Sequence, residues 1–244
     1  MIGRALRAQA RSAAGDIVLL WAAVAAFGMS LSLVTIIPPE FADAPAELRA
    51  ALAAPFGAVL ATYGSILAAA YGSFRYTVDR RDGVVAQRLM LQRRWPTLLA
   101  RMPASAVGGA IVAAAALGGG HLALAVSGAG ASVDGGAVAS ALALGAAAAL
   151  WGLGLGVVVR VHLLALFLAP MSLGGALLVA MLWPDGAVYL PLVALLEALR
   201  FDVTAVGIGR GSALDASLAA VVGASWVAVM LLASSLVFMR RDVR

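Results

Sequence analysis

The chain has 244 residues, of which 63% are hydrophobic and only 12% are charged. Its formal charge is +5, every basic residue is an arginine, and it contains no cysteine. This composition excludes an ordinary soluble domain, disulfides and thiolate metal sites, and any phosphate-binding loop that needs a lysine.

Six apolar runs are long enough to cross a bilayer as helices, which takes about 20 residues each. A helix satisfies its own backbone hydrogen bonds in lipid, and the residue alternation of a membrane barrel is not visible. We therefore predict an all-α, polytopic integral membrane protein that forms a single transmembrane domain over residues 1–244. The predicted spans are residues 17–37, 55–74, 103–126, 137–159, 163–183 and 216–239.

The residues before the first span carry Arg4, Arg7 and Arg11 at helical spacing. This spacing predicts a short helix that lies in the membrane interface. An ordinary basic flank that only orients the first span has the same composition. Both interpretations place the N-terminus in the cytoplasm.

Residues 75–101, between the second and third spans, hold seven of the 17 arginines. Because charged side chains are costly in hydrocarbon, we expect this segment to lie in water or at the headgroups, on the cytoplasmic side. Asp82-Gly83 predicts a turn, and the residues from Val84 to Arg94 favour a short helix. An arginine-rich helix suits docking into an acidic or carbonyl-lined groove of a partner. A solvated or headgroup-bound loop without a partner is the alternative.

Two features of the second half of the chain concern packing. Gly152-x-Gly154-x-Gly156 favours close approach of two helices, although an Ala- and Gly-rich chain also produces this spacing by chance. The apolar run from Ala187 to Leu199 is too short to cross and is broken by Pro191, so we predict a re-entrant or interfacial segment before the sixth span. Within it, Glu197 and Arg200 have the spacing of an i,i+3 ion pair.

The predicted topology places 14 arginines on the cytoplasmic side and three outside. This bias predicts a multi-pass protein of the plasma membrane with both termini cytoplasmic. His121 and His162 are expected near opposite ends of neighbouring spans, so we predict no catalytic, cofactor or metal site. The middle thirds of the spans hold almost no ionisable side chain, which disfavours an ion-coupled carrier.

Several of these features together resemble the ABC-2 type permeases, which are membrane subunits of ABC transporters and mostly of exporters. They are six spans with both ends inside, a basic elbow before the first span, and a broken apolar run before the sixth. The motifs that carry the resemblance are Asp82-Gly83 followed by Leu89 and Leu91, the stretch Leu98-Leu99-Ala100-Arg101, and the tail from Phe238 to Val243.

The resemblance implies a transport subunit that is not an enzyme and binds no cofactor of its own. It implies a homodimer in the bilayer that forms the export path, driven by two cytosolic ATPase subunits that bind ATP and Mg, with no nucleic-acid partner. The first, second and fifth spans would move against the dimer mate, and the segment after Gly83 would be the coupling helix. The residues expected to contact the ATPase are Arg80, Asp82, Gly83, Gln87, Arg88, Leu89, Leu91, Arg93 and Arg94.

The chain departs from the family pattern in two places. A proline that is common in the coupling segment is absent, with Gln92 near its place, and Arg101 stands where lysine is frequent. These departures leave the register of the coupling helix open. An ion-coupled secondary transporter and a non-transporting membrane scaffold or immunity protein remain as alternatives, and the sequence does not define a cargo.

Overall fold

The computed structural model describes residues 2–37, 43–128, 134–159, 161–209 and 214–240. The regular elements in these ranges are helices, and six of them are long and apolar enough to cross a membrane, which confirms the predicted all-α, polytopic fold. The α-helices are α1 (Ile2–Ala14), α2 (Ile17–Leu31), α3 (Ala46–Arg81), α4 (Val84–Leu91), α5 (Arg94–Val126), α6 (Gly135–Val158), α7 (His162–Leu182), α8 (Pro184–Ala187), α9 (Pro191–Ala198) and α10 (Ala216–Arg240), with 3-10 turns at Ser32–Thr35 and Val203–Val206.

Several expected features lie wholly or partly outside the described residues. They are Arg160, Arg210, parts of the connections between the first and second and between the third and fourth predicted spans, and the basic tail after Arg240.

Two of the spanning helices are longer than the apolar runs that predict them. α3 has 36 residues, including Arg75 to Arg81, and α5 begins at Arg94, nine residues before the predicted span. At about 1.5 Å per residue α3 is about 54 Å long, well beyond the roughly 30 Å hydrocarbon core. Much of the expected loop is therefore helix.

The centre of the bundle is held by close backbone contacts between α3, α5 and α6. A Cβ atom on Gly152 of α6 would lie 2.0 Å from the carbonyl oxygen of Ala69 in α3, and one on Gly109 of α5 would lie 2.3 Å from that of Gly145. Gly154, two residues along α6, faces Met230 of α10 instead. Small residues let these helix backbones approach closely, as the glycine spacing predicts.

The other three spanning helices lie at the periphery. In the most apolar 18-residue stretch of each span, 11% of residues are buried for α2 taken together with its 3-10 turn, 28% for α7 and 22% for α10, against 67% for α6. Their uncovered faces are apolar, as expected for helices that contact lipid or another membrane chain.

α1, α4 and the C-terminal end of α10 meet at one end of the bundle, which we call the basic end. The Arg88 guanidinium of α4 donates to the side-chain carbonyl of Gln9 in α1. Nη1 of Arg94 donates to the carbonyl oxygen of Met239 in α10 over 2.8 Å. These contacts place α1 beside α4 and the last turn of α10 beside the start of α5.

The opposite end contains α8, α9 and the turn Val203–Val206. α9 starts at Pro191, is buried from Pro191 to Glu197, and is followed at Arg200 by a residue in the left-handed conformation with φ 62°. The backbone N–H of Arg200 donates to Glu197 O and that of Phe201 to Leu196 O, both at 3.0 Å. This is a Schellman motif, which normally uses glycine at the left-handed position.

The predicted ion pair between Glu197 and Arg200 is wrong. Glu197 Oε2 accepts from the backbone N–H of Leu214 over 3.1 Å, and Oε1 has no hydrogen-bond partner among the described residues. Arg200 is exposed and lies in the left-handed turn that follows α9.

Candidate functional site at the basic end

α4 is a short helix between two turns that join it to α3 and α5. Gly83 has φ 75°, in the left-handed region where a side chain is disfavoured, and α4 begins at the next residue. At the other end, Gln92 and Arg93 are extended. The turn predicted at Asp82-Gly83 is confirmed.

One face of α4 is fixed to the bundle. Val85 is fully buried and Leu89, one turn later, packs beside it against a cluster that includes Leu98, Val157 and Phe238. These side chains come from α5, α6 and α10. α4 is therefore held against three spanning helices.

The opposite face of α4 is exposed and carries two large apolar side chains. Met90 is 85% exposed and Leu91 is 86% exposed. Gln87 on the same helix and Arg81, Asp82 and Arg93 beside it are also exposed. The result is an apolar tip with charged side chains around it.

The structure divides the nine expected ATPase-contact residues into three groups. Asp82, Gln87, Leu91 and Arg93 are exposed, while Arg80 and Gly83 are half-buried. Arg88, Leu89 and Arg94 contact α1, the core cluster and α10 respectively. Met90, which is not one of the nine expected residues, is among the most exposed side chains of α4.

α1 packs against the protein through one face. Ala5 and Gln9 are buried, and Ser12, at the same helical spacing, accepts a 3.1 Å hydrogen bond from Arg75 Nη2. Arg7 and Arg11 are exposed. α1 therefore forms the predicted helix, and it contacts both α4 and α3.

Beneath α4 lies a cluster of four charged side chains, which we call the ionic cluster: Asp16, Arg75, Asp79 and Arg101. Arg75 Nε lies 2.6 Å from Asp16 Oδ2, and Arg75 Nη1 contacts Asp79 Oδ1. Arg101 Nη2 lies 2.8 Å from Asp79 Oδ2. The two acids and two arginines balance in charge.

The ionic cluster is shielded from solvent. The exposed fraction of the side chain is 4% for Asp16, 15% for Arg75, 5% for Asp79 and 3% for Arg101. The Arg101 guanidinium also lies over the ring of Tyr76, 5.4 Å from its centroid, a distance suited to a cation–π contact. The expectation that all of residues 75–101 lies in water or at headgroups is therefore wrong for three of its charges, because each is paired inside the protein.

Asp16 also starts α2. Its Oδ1 accepts from the backbone N–H groups of Val18 (3.1 Å) and Leu19 (3.3 Å), while its Oδ2 binds Arg75. Two sequence signals point to this arrangement: an aspartate directly before an apolar helix is a favoured N-cap, and Arg75 and Asp79 have the i,i+4 spacing of a helical ion pair.

A lateral groove begins beside the ionic cluster, between α2, α3 and α7. Its volume is about 460 Å³, within the range of small-molecule sites. Trp21, Phe74 and Leu166 contribute to its apolar lining, and the only hydroxyl among its described lining residues, that of Tyr71, donates to Asp16 Oδ2 over 3.3 Å. The groove can therefore hold apolar groups with few directional contacts.

The described residues contain no group of three or more histidine, cysteine, aspartate or glutamate side chains that could hold a metal ion. His162 Nδ1 instead lies 2.8 Å from Thr77 Oγ1, and its ring lies 4.7 Å from that of Phe74. These contacts join the start of α7 to α3.

No model of a known protein family matches this chain, and no curated protein sequence matches it. Its functional assignment therefore depends on the geometry of the basic end and on the arrangement of the helices around it.

Proposed function

We propose that this chain is the permease subunit of an ATP-driven ABC exporter of the ABC-2 type. It forms the translocation path as a homodimer in the plasma membrane, with both termini in the cytoplasm, and separate cytosolic ATPase subunits supply the energy. ATP and Mg bind to those subunits, and α4 is the coupling helix.

The exposed face of α4 is the observation that carries this proposal. Met90 and Leu91 project at the end of the bundle where the arginines collect, while Val85 anchors the helix from behind. Apolar side chains on an exposed helix face can bind in a groove of a partner. Arg81 and Arg93 beside the tip suit a groove with acidic or carbonyl groups at its rim.

The lateral groove supports an apolar or amphiphilic cargo. It is formed by α2, α3 and α7, the helices that the family resemblance assigns to the moving dimer interface. The described residues that line it carry no charge, so cargo would be held through apolar contact.

An ion-coupled carrier is the second candidate, and the buried acids of the ionic cluster bear on it. Such carriers keep an ionisable group near the membrane midplane. Asp79 is two residues from the end of α3, and Asp16 precedes α2. Both acids already have arginine partners, so a coupling ion would have to displace a guanidinium group.

The decisive experiment is copurification with an ATPase encoded beside this chain, comparing wild type with the double variant Met90→Asp and Leu91→Asp. Replacing these two exposed apolar side chains by carboxylates should weaken association more than tenfold, because burying an unpaired charge in an apolar contact is costly. Val161→Asp is the matched control, since Val161 is a 60% exposed apolar residue at the start of α7.

Equal weakening by the control, or ATPase binding unaffected by the double variant, would contradict the assignment of α4. Transport that proceeds on an ion gradient without nucleotide hydrolysis would support the carrier. Failure of any ATPase to bind or to be stimulated would favour a membrane scaffold or immunity protein.

A further inference from the structure

The ionic cluster joins four segments of the chain at the root of α4. Ser12 belongs to α1, Asp16 starts α2, Arg75 and Asp79 lie in the last two turns of α3, and Arg101 lies in the second turn of α5. α4 is connected to α3 and α5 by short turns. Any displacement of α4 therefore acts directly on the contact between Asp79 and Arg101.

The two halves of the ionic cluster differ in how well they are bonded. Arg75 makes hydrogen bonds to Asp16, Asp79 and Ser12. By contrast, Nε and Nη2 of Arg101 and Oδ2 of Asp79 are buried without a hydrogen-bond partner among the described residues, although Nη2 and Oδ2 are only 2.8 Å apart. The charges are close, but they do not have hydrogen-bond geometry.

This asymmetry makes the contact between Asp79 and Arg101 the one that can open. Asp79 would keep Arg75 as a partner through Oδ1 if Arg101 moved away. Arg101 would regain its missing hydrogen bonds from water, since a buried donor without a partner is costly and hydration removes that cost. The contact between Arg75 and Asp16 has no such reason to break.

We propose that the ionic cluster is a latch, in which Arg75 permanently ties α3 to the start of α2 and the contact between Asp79 and Arg101 opens and closes α3 against α5. That the displacement of α4 comes from an ATPase rests on the proposed function. The latch itself is a property of this chain and can be measured without a partner. Asp79 and Arg101 act here as positioning residues.

Alkylation of a single introduced cysteine tests the latch, because the chain has no cysteine of its own. Leu98 is 1% exposed and lies one turn before Arg101 on α5, so Leu98→Cys reports opening between α5 and its neighbours. With N-ethylmaleimide and the full chain in lipid nanodiscs, Asp79→Asn should raise the alkylation rate of this cysteine at least tenfold. Asp82→Asn, an exposed acid three residues away, should leave the rate within twofold.

A second cysteine position separates opening of the latch from unfolding. Leu192 in α9 is fully buried at the opposite end, so the alkylation rate of Leu192→Cys should not change with Asp79→Asn. A parallel rise at both positions, or no rise at Leu98→Cys, would overturn the latch. Adding Arg101→Gln to Asp79→Asn should lower the rate again, because no unpaired guanidinium remains, and a further rise would also contradict it.

A third alkylation measurement uses the complex of this chain with the ATPase. Trapping the ATPase in its nucleotide-bound state should raise the rate at Leu98→Cys about tenfold, and the double variant Met90→Asp and Leu91→Asp should abolish that rise. If no ATPase binds, the proposed function fails while the measurements on the isolated chain still decide the latch. If it binds and the rate does not respond, the latch is not part of coupling.

Discussion

Each end of the bundle buries one acidic side chain, and the two acids differ in their bonding partners. Asp79 at the basic end lies between two arginines, whereas Glu197 at the opposite end has one backbone N–H at 3.1 Å and a second oxygen without a partner among the described residues. Burial accordingly raises the pKa of Glu197 above the ordinary carboxyl value. The basic end is held by specific charge pairs, and the opposite end by apolar packing of α9.

This difference affects how each end of the bundle responds when its helices move. An ion pair specifies particular partners, and removing one of them leaves an uncompensated buried charge, while apolar burial is non-directional. The basic end is therefore the part of the molecule suited to discrete states. The opposite end is suited to holding the helices together while the basic end changes.

Removing the shared acid of the ionic cluster is the strongest test of this comparison. Asp79→Leu leaves Arg101 buried with no carboxylate, so the free energy of unfolding should fall by about 3–5 kcal/mol. Denaturation of the purified protein in detergent micelles measures it. Asp82→Leu removes an exposed acid and should change the value by less than about 0.5 kcal/mol. Equal losses would mean that the pairing is not structurally important.

The middle of the bundle, between the two ends, should be sensitive to backbone spacing. Gly152→Ala puts a methyl group 2.0 Å from the Ala69 carbonyl oxygen, so α3 and α6 must separate, at a cost of about 1–3 kcal/mol in the same assay. Gly175→Ala in α7 meets no atom within 4 Å. It should be neutral or stabilising, because alanine favours helix over glycine by about 1 kcal/mol.

At the opposite end, one substitution should increase stability. Arg200 occupies a left-handed conformation that costs a side-chain-bearing residue about 1 kcal/mol, so Arg200→Gly should raise the free energy of unfolding by about that amount. Ala198→Gly, within α9, should lower it by about 0.5–1 kcal/mol. A loss of stability with both substitutions would show that Arg200 makes a contact that outweighs its backbone conformation.

The smallest expected effect concerns pH. Because the pKa of Glu197 is raised in the folded state, this group costs nothing below the ordinary carboxyl pKa, and its unfavourable contribution grows as pH rises through the raised pKa. Glu197→Gln should remove this part of the pH dependence while keeping an acceptor for Leu214.

Asp215 should change the pH dependence of stability in the opposite direction, because its pKa is shifted the other way. Hydrogen bonds from Ser217 lower the pKa of Asp215, so its stabilising contribution is present above the ordinary carboxyl pKa and is lost as pH falls through the lowered one. Asp215→Asn should therefore reduce stability mainly on the less acidic side. Unfolding curves across the acidic range that showed the same sign for both variants would contradict this assignment.

The sequence predicts the six spanning helices because each needs only a long apolar run. It also predicts the turn at Gly83 and the close approach at Gly152, since both depend on glycine itself. Hydropathy does not predict that α3 continues from Arg75 to Arg81. A buried arginine is unfavourable unless it has an acidic partner, and hydropathy does not identify that partner. Asp16, 59 residues away along the chain from Arg75, is such a partner.

The direction of each side chain on α4 was also beyond the sequence. Leu89 and Leu91 look equivalent in a short helix with a weak apolar stripe, but Leu89 packs inward and Leu91 is 86% exposed. Val85 determines which face of α4 is buried, because it lies one turn before Leu89 and fills a space between α5, α6 and α10. That space depends on contacts between distant parts of the chain.

The double use of Asp16 sets the depth of the first spanning helix. One oxygen starts α2 and the other fixes that start to α3, so α2 cannot slide along its axis without breaking a buried ion pair. Hydrophobic mismatch with a thinner or thicker bilayer must then be absorbed at the far end of the helix, where the 3-10 turn Ser32–Thr35 follows α2. Adaptation to membrane thickness is thereby kept away from the latch.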